Sequence, residues 1–176
     1  MTATIDRPRV PGAGAPPPAR PPERPSSRWG SDASATAELA VVGLTVAAVV
    51  GFGRLFVDAS FLPEVLALVV ASHALAWGAR RLGLGPFAAV AVSAAGLLVG
   101  IGWVIEPNTT TFGLPLGRTW AAMGADLRAA WDAFGEVRAP TPVTRGFVLA
   151  AAIGGWVAAF AADTFAFRAR TRIEAV

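Results

Sequence analysis

Apolar residues in this chain gather into runs too long for the elements of a soluble core, and one long polar interval separates the third run from the fourth. The clearest run, Leu82 to Ile105, carries no charge along its whole length and exceeds the roughly 20 residues needed to cross the hydrocarbon of a bilayer. Three more runs predict spanning helices: Leu39 to Val57, uncharged until Arg54; Phe61 to Ala79; and Gly146 to Phe167, broken only by Asp163. The first two have shorter uninterrupted apolar cores and depend on end residues that reach the interface. Outside the N-terminal stretch, proline stands at 63, 86, 107, 115, 140 and 142, always in a loop or in the first turns of a span, where its missing N–H costs least. The pattern predicts an all-α membrane protein of about four transmembrane helices. Ser34 or Thr36 is the expected cap of the first span, with Glu38 favoured in its first turn.

The polar interval, Glu106 to Arg145, opens with Glu106-Pro107-Asn108-Thr109-Thr110-Thr111 and closes with Ala139-Pro140-Thr141-Pro142. At about 100° per residue, Trp120, Met123, Leu127, Trp131 and Phe134 share one stripe, while Arg118, Arg128, Asp132 and Glu136 fall on the other side. This predicts an amphipathic helix over residues 118–135 between the third and fourth spans. Its aromatic stripe suits either the headgroup layer, where a ring can be half wet, or packing on the bundle's own loops.

Composition agrees with a multispanning chain: of 176 residues 54% are hydrophobic and 15% charged, with a mean hydropathy of +0.53. Residues 1–35 hold eight of the 14 prolines and five arginines without apolar periodicity, the signature of a disordered, low-complexity tail. Residues 36–176 form the predicted membrane domain. The first apolar run begins too far from the N-terminus for a secretory signal. There is no Cys and one His, which excludes disulfides, thiolate or multi-His metal sites and cysteine nucleophiles. No phosphate loop, carboxylate pair or Ser-His-Asp set is present, so no cofactor is expected. Ser60, Ser72 and Ser93 lie in or beside apolar helices with no partner acid at suitable spacing. All 15 basic residues are Arg, and they are scattered rather than interleaved with aromatics, which argues against a nucleic-acid partner and for the lipid bilayer.

Arginine counts set the expected orientation. With the N-terminus cytoplasmic, Arg7, Arg9, Arg20, Arg24, Arg28, Arg80, Arg81, Arg168, Arg170 and Arg172 lie inside, ten against the five of Arg54, Arg118, Arg128, Arg138 and Arg145. The positive-inside rule then puts both termini in the cytoplasm and the polar interval outside, with Trp77 and Trp103 at opposite interfaces.

Ionisable residues within spans are functional candidates by default. His73 and Asp163 lie deepest, and counting from Arg80 and Arg168 places them at similar depth, so they are the expected polar pair. Arg54, Asp58 and Glu64 cluster at the hairpin between the first two spans, where an ion pair is expected. Small residues recur at four-residue spacing in three rows: Gly43, Ala47 and Gly51; Gly96 and Gly100; and Ala150, Gly154, Ala158 and Ala162. Such rows allow close helix approach, here expected mainly within the bundle, with a dimer interface as the alternative. Asn108-Thr109-Thr110 matches a glycosylation acceptor, a chance match in a chain of bacterial composition.

The run Gly51-Phe52-Gly53-Arg54-Leu55-Phe56, the Ala71-Ser72-His73 stretch, the Arg80-Arg81 pair, Gly113-Leu114-Pro115-Leu116 and the Leu127 to Trp131 helix together resemble the N-terminal membrane domain of the bacterial transglutaminase-like TgpA family, in its actinobacterial form. The likeness covers Glu38 to the end, and the order of the motifs carries most of it. It implies a multispanning region followed by an extracytoplasmic transglutaminase-like domain with a Cys-His-Asp set. This chain departs from that pattern by reaching Val176 without a Cys. A fourth span ending in the cytoplasm needs one more to deliver that domain outside, and Arg172-Ile173-Glu174-Ala175-Val176 resembles the approach to it. The chain is therefore expected to be a fragment or truncated reading frame that anchors a downstream domain and is itself no enzyme. A small transporter or channel subunit, or a membrane scaffold that binds a partner through the outer helix, are the alternatives. Oligomeric state is not legible.

Overall fold

A computed structural model describes residues 28–167, with side chains from residue 35. Residues 1–27 of the expected tail over residues 1–35, and the arginines at 168, 170 and 172, lie outside the described residues; residues 28–35 are helical rather than part of a disordered tail.

Five α-helices follow one another: α1 (Arg28–Gly51), α2 (Leu62–Arg81), α3 (Pro86–Val104), α4 (Gly117–Phe134) and α5 (Arg145–Phe167). Short 3-10 turns at Phe52–Leu55 and Pro107–Thr109 join them. Among the described residues four helices, all but α4, are long and apolar enough to cross a membrane. They alternate in direction, so one end of the bundle carries Glu38, Arg80 and Asp163 and the other carries Glu106 and Arg145. These are called the Arg80 end and the Glu106 end below.

The helices start and stop where local chemistry requires. Pro63 and Pro86 sit in the first turns of α2 and α3, where a proline removes no intrahelical bond. The α2–α3 turn passes through Gly83 at φ +66, a left-handed conformation that costs glycine nothing. α1 differs from expectation: it begins at Arg28 rather than near Leu39, so Ser34 and Thr36 lie within the helix instead of capping it. The low apolar content of residues 28–38 concealed a helix that continues the first span by about three turns.

The core is a layer of Val49, Phe61, Val65, Leu68, Val69, Ile101, Leu149, Ala152 and Trp156, each with 2% or less of its surface exposed. α2 and α5 lie at its centre, with α1 and α3 on their flanks. Large apolar side chains elsewhere face outward, including Leu44 at 75%, Phe87 at 93% and Phe165 at 73% exposure. In water such surfaces drive association, whereas in lipid they are the solvent-facing side of a multi-pass membrane protein.

The rows of small residues divide. A Cβ at Gly96 would meet Leu75 and Trp156, and one at Gly100 would meet Leu68, so this row does admit α2 and α5. Gly43, Gly51 and Gly154 have nothing within 4 Å, and Ala47, Ala150 and Ala158 are exposed, so the other two rows do not pack within the bundle as expected. In α5 the buried face is one residue on, through Ala152, Gly155, Ala159 and Asp163. Gly155 is the residue there that admits Val69 and Val49.

Candidate functional site

Two ionic clusters stand at opposite ends of the bundle. At the Arg80 end, the Arg80 guanidinium binds Asp163 through Nη1 and donates through Nη2 to Glu38 Oε1 at 2.8 Å. One cation thus joins carboxylates from α1 and α5. Asp163 is buried, with its side chain 6% exposed, while the Glu38 side chain is 32% exposed. Arg80 also lies over the Phe167 ring at 4.5 Å, and Arg81 over Trp77 at 4.9 Å, so each guanidinium has an aromatic face as a further partner.

His73 and Asp163, the expected pair, line the same cavity of about 510 Å³, together with Glu38, Trp77 and Arg80. Among the described residues they make no direct hydrogen bond. The long Arg80 side chain takes the carboxylate, and His73 has its hydrogen-bond partner on α1. His73 Nε2 lies 3.2 Å from Thr45 Oγ1, and the Thr45 hydroxyl donates to the Val41 carbonyl at 2.9 Å. With that single hydroxyl hydrogen committed, Nε2 is the donor, and Nδ1 of the neutral ring is an acceptor.

Deeper in the bundle polar contacts become sparse. Ser72 Oγ donates to the Trp156 carbonyl at 2.9 Å, and Trp156 Nε1 donates to Ser93 Oγ at 2.9 Å. These tie α2 to α5 and α5 to α3. Beyond them toward the Glu106 end the interior is the apolar layer of Val49, Val65, Leu68, Val69 and Leu149.

At the Glu106 end a second carboxylate is buried. Glu106 is 2% exposed, and Arg145 Nη1 reaches both its oxygens at 3.3 Å. Burial pushes the Glu106 carboxyl above the usual carboxylate range; Arg145 opposes that shift, and the neighbouring Asp126 adds to it. Thr109 Oγ1 donates to the Glu106 carbonyl at 2.9 Å and lies 3.1 Å from Thr119 Oγ1 on α4. α4 lies directly on the start of α5: a Cβ at Gly146 would collide with the Asp126 carbonyl oxygen and stand 2.7 Å from Ala130 Cβ. The α1–α2 and α4–α5 connections are also joined, Val57 N to Thr141 O at 3.0 Å and Thr141 N to Leu55 O at 2.9 Å. Trp103 Nε1 donates to the Gly113 carbonyl at 2.6 Å.

The amphipathic helix forms, but its expected buried stripe divides. Met123 is buried and Leu127 packs against the core, whereas Trp120, Trp131 and Phe134 are 52%, 79% and 72% exposed. Thr119, Met123 and Ala130 form the buried face, about a quarter turn round the helix from the aromatics. The approach at Gly146 is too close for a large ring, so small side chains face α5 and the aromatics face away. The expected ion pair among Arg54, Asp58 and Glu64 is also absent among the described residues. Asp58 instead accepts a hydrogen bond from its own chain, Ser60 N at 2.9 Å, a local Asx turn that needs no cation.

Arg80, Glu38, Glu106 and Arg145 are the residues that sequence reasoning missed as partners. Arg80 served there as a mark of the interface and Glu106 as the first residue of a loop. The available signal was spacing: Arg80 and Asp163 each lie within about a turn of the same end of their spans. Among the described residues no group of three or more acidic or His side chains is arranged to hold a metal. A scan against protein-family models, a search of curated proteins and a search of solved structures each find no match.

Proposed function

We propose that this chain is the non-catalytic integral-membrane domain of a transglutaminase-like protein, seated in a bacterial plasma membrane with its N-terminus cytoplasmic. Its task on this reading is to anchor a catalytic domain that one further span after α5 carries to the extracytoplasmic side, and to position it at the Glu106 end. The motif order from Gly51 to Trp131 supports the family, and the ten-to-five arginine asymmetry supports the orientation. The observation that carries the reading is the construction of the Glu106 end. There α4 is fixed to α5 by backbone-level contact at Gly146, and the connections are hydrogen-bonded to each other through Thr141. Three aromatic side chains remain outward on α4. This is a rigid shelf at a membrane surface, a form suited to holding a domain at fixed height and angle.

Transport is the less favoured reading. A solute path needs polar groups from end to end, and here they give way beyond Thr45, Ser72 and Ser93 to an apolar layer. Acyl transfer by a thiolate needs a Cys and a nearby base; on this reading both belong to the domain that is anchored.

Reading the coding frame beyond Val176 tests the proposal. Continuation into a domain with a Cys-His-Asp set is the expected result. A stop codon there, with no such domain encoded, overturns it. Solute or ion flux through liposomes that Asp163→Asn abolishes would establish transport instead.

A further inference from the structure

The cavity at the Arg80 end is graded along its length. Glu38, Arg80 and Asp163 form its ionic end, His73 and Trp77 its middle, and Val42 and Val70 its apolar end. Val70 lies ten positions from Arg80 on α2, about 15 Å deeper at 1.5 Å per residue. The groove therefore runs from headgroup level into hydrocarbon over a distance comparable to an acyl chain.

The ionic cluster at this end has two carboxylates around one guanidinium. Each carboxylate gives Arg80 one oxygen, and His73 meets Thr45 through Nε2. Asp163 and His73 are respectively 4% and 5% exposed and line the same cavity. The cavity is thus lined by two carboxylates and an imidazole, with the Trp77 indole and the Arg80 guanidinium as its N–H donors and no hydroxyl. A primary ammonium has three N–H donors and a single positive charge. Arg81, exposed and stacked on Trp77 at the same end, supplies the cation that a phosphate at headgroup level would take.

We propose that this groove between α1, α2 and α5 binds one phospholipid with a primary-ammonium headgroup, its ammonium at Glu38 and Asp163, its phosphate beside Arg81 and a chain along Val42 and Val70. Acceptor geometry sets the selectivity. A trimethylated headgroup carries the same charge but no N–H to donate. A glycerol headgroup brings no cation to the two carboxylates.

The test uses the full chain in nanodiscs of equal phosphatidylethanolamine, phosphatidylcholine and phosphatidylglycerol, followed by native mass spectrometry of the retained lipid. The wild-type protein is expected to retain phosphatidylethanolamine over phosphatidylcholine by roughly tenfold, the worth of one charge-assisted hydrogen bond. Glu38→Gln, which keeps a carbonyl acceptor for Arg80, is expected to reduce that preference to within about twofold of parity, while Glu64→Gln at the opposite end leaves it intact. Equal retention of the two zwitterionic lipids by wild type overturns the proposal, and that comparison needs no variant. So does preferential retention of phosphatidylglycerol, which would mean the arginines alone select the lipid, or an undiminished preference in a folded Glu38→Gln protein.

Discussion

The two ends of this bundle bury a carboxylate by different means. At the Arg80 end the charge is neutralised by a side chain from within the span, and three helices are joined through one guanidinium. At the Glu106 end the partner, Arg145, has a side chain 60% exposed and reaches Glu106 at 3.3 Å. There the structure depends on close backbone approach instead, at Gly146 and at Thr141. The difference follows from what each end must join. α1 is held at the edge of the bundle and faces lipid over much of its surface, so an ionic clamp ties it down where few large side chains can. α4 is polar on one side, and a glycine contact brings it close enough for its small residues to pack.

If that contrast is right, removing Arg80 should have the larger effect. Arg80→Gln leaves the buried Asp163 without its counter-charge and releases Glu38. A loss of about 3 kcal/mol is expected, read from thermal or denaturant unfolding in detergent, with α1 exchanging backbone hydrogens ahead of α2 and α5. Uniform exchange across the helices would show that the clamp does not specifically hold α1.

Gly146→Ala comes next. The added methyl collides with a backbone carbonyl on α4, so about 2 kcal/mol of destabilisation is expected. Faster hydrogen exchange should be confined to α4 and the following loop. Gly154→Ala, where the added Cβ meets nothing within 4 Å, is the matched control and should be near neutral.

Glu106→Gln has the smallest effect and the opposite sign at neutral pH. Because the folded protein holds the Glu106 proton more tightly than the unfolded chain does, the carboxylate opposes folding above its folded-state pKa. That penalty fades as pH falls toward the ordinary carboxyl value of 4.5. Wild-type stability should therefore rise slightly on acidification across this window, and the Glu106→Gln variant, measured beside it, should lack that rise. A variant less stable than wild type at pH 7 would mean that the Arg145 pair outweighs the burial cost.

The spans and α4 were legible because both depend on one-dimensional patterns: uncharged length for the spans, helical periodicity for Trp120 to Phe134. Partner choice was not, because it depends on helix rotation and side-chain reach. His73 and Asp163 share a cavity as their matched depths implied, yet the flexible Arg80 side chain intervenes between their roles. The rotation of α4 was hidden for a related reason: hydrophobicity ranks Trp131 above Ala130, while the space at Gly146 admits only Ala130. A helix surrounded by lipid also loses the usual link between apolar and buried, which is why the row through Gly154 faces outward and its neighbour through Gly155 packs.

The central claim is that the Glu106 end is the extracytoplasmic shelf, and the natural absence of cysteine makes that claim directly measurable. Single cysteines at Asn108, on the Glu106 end, and at Leu82, on the Arg80 end, are both at exposed positions. A membrane-impermeant maleimide applied to intact cells should label Asn108→Cys and should reach Leu82→Cys only after permeabilisation. Labelling of Leu82→Cys from outside, with Asn108→Cys protected until the membrane is opened, would contradict the account.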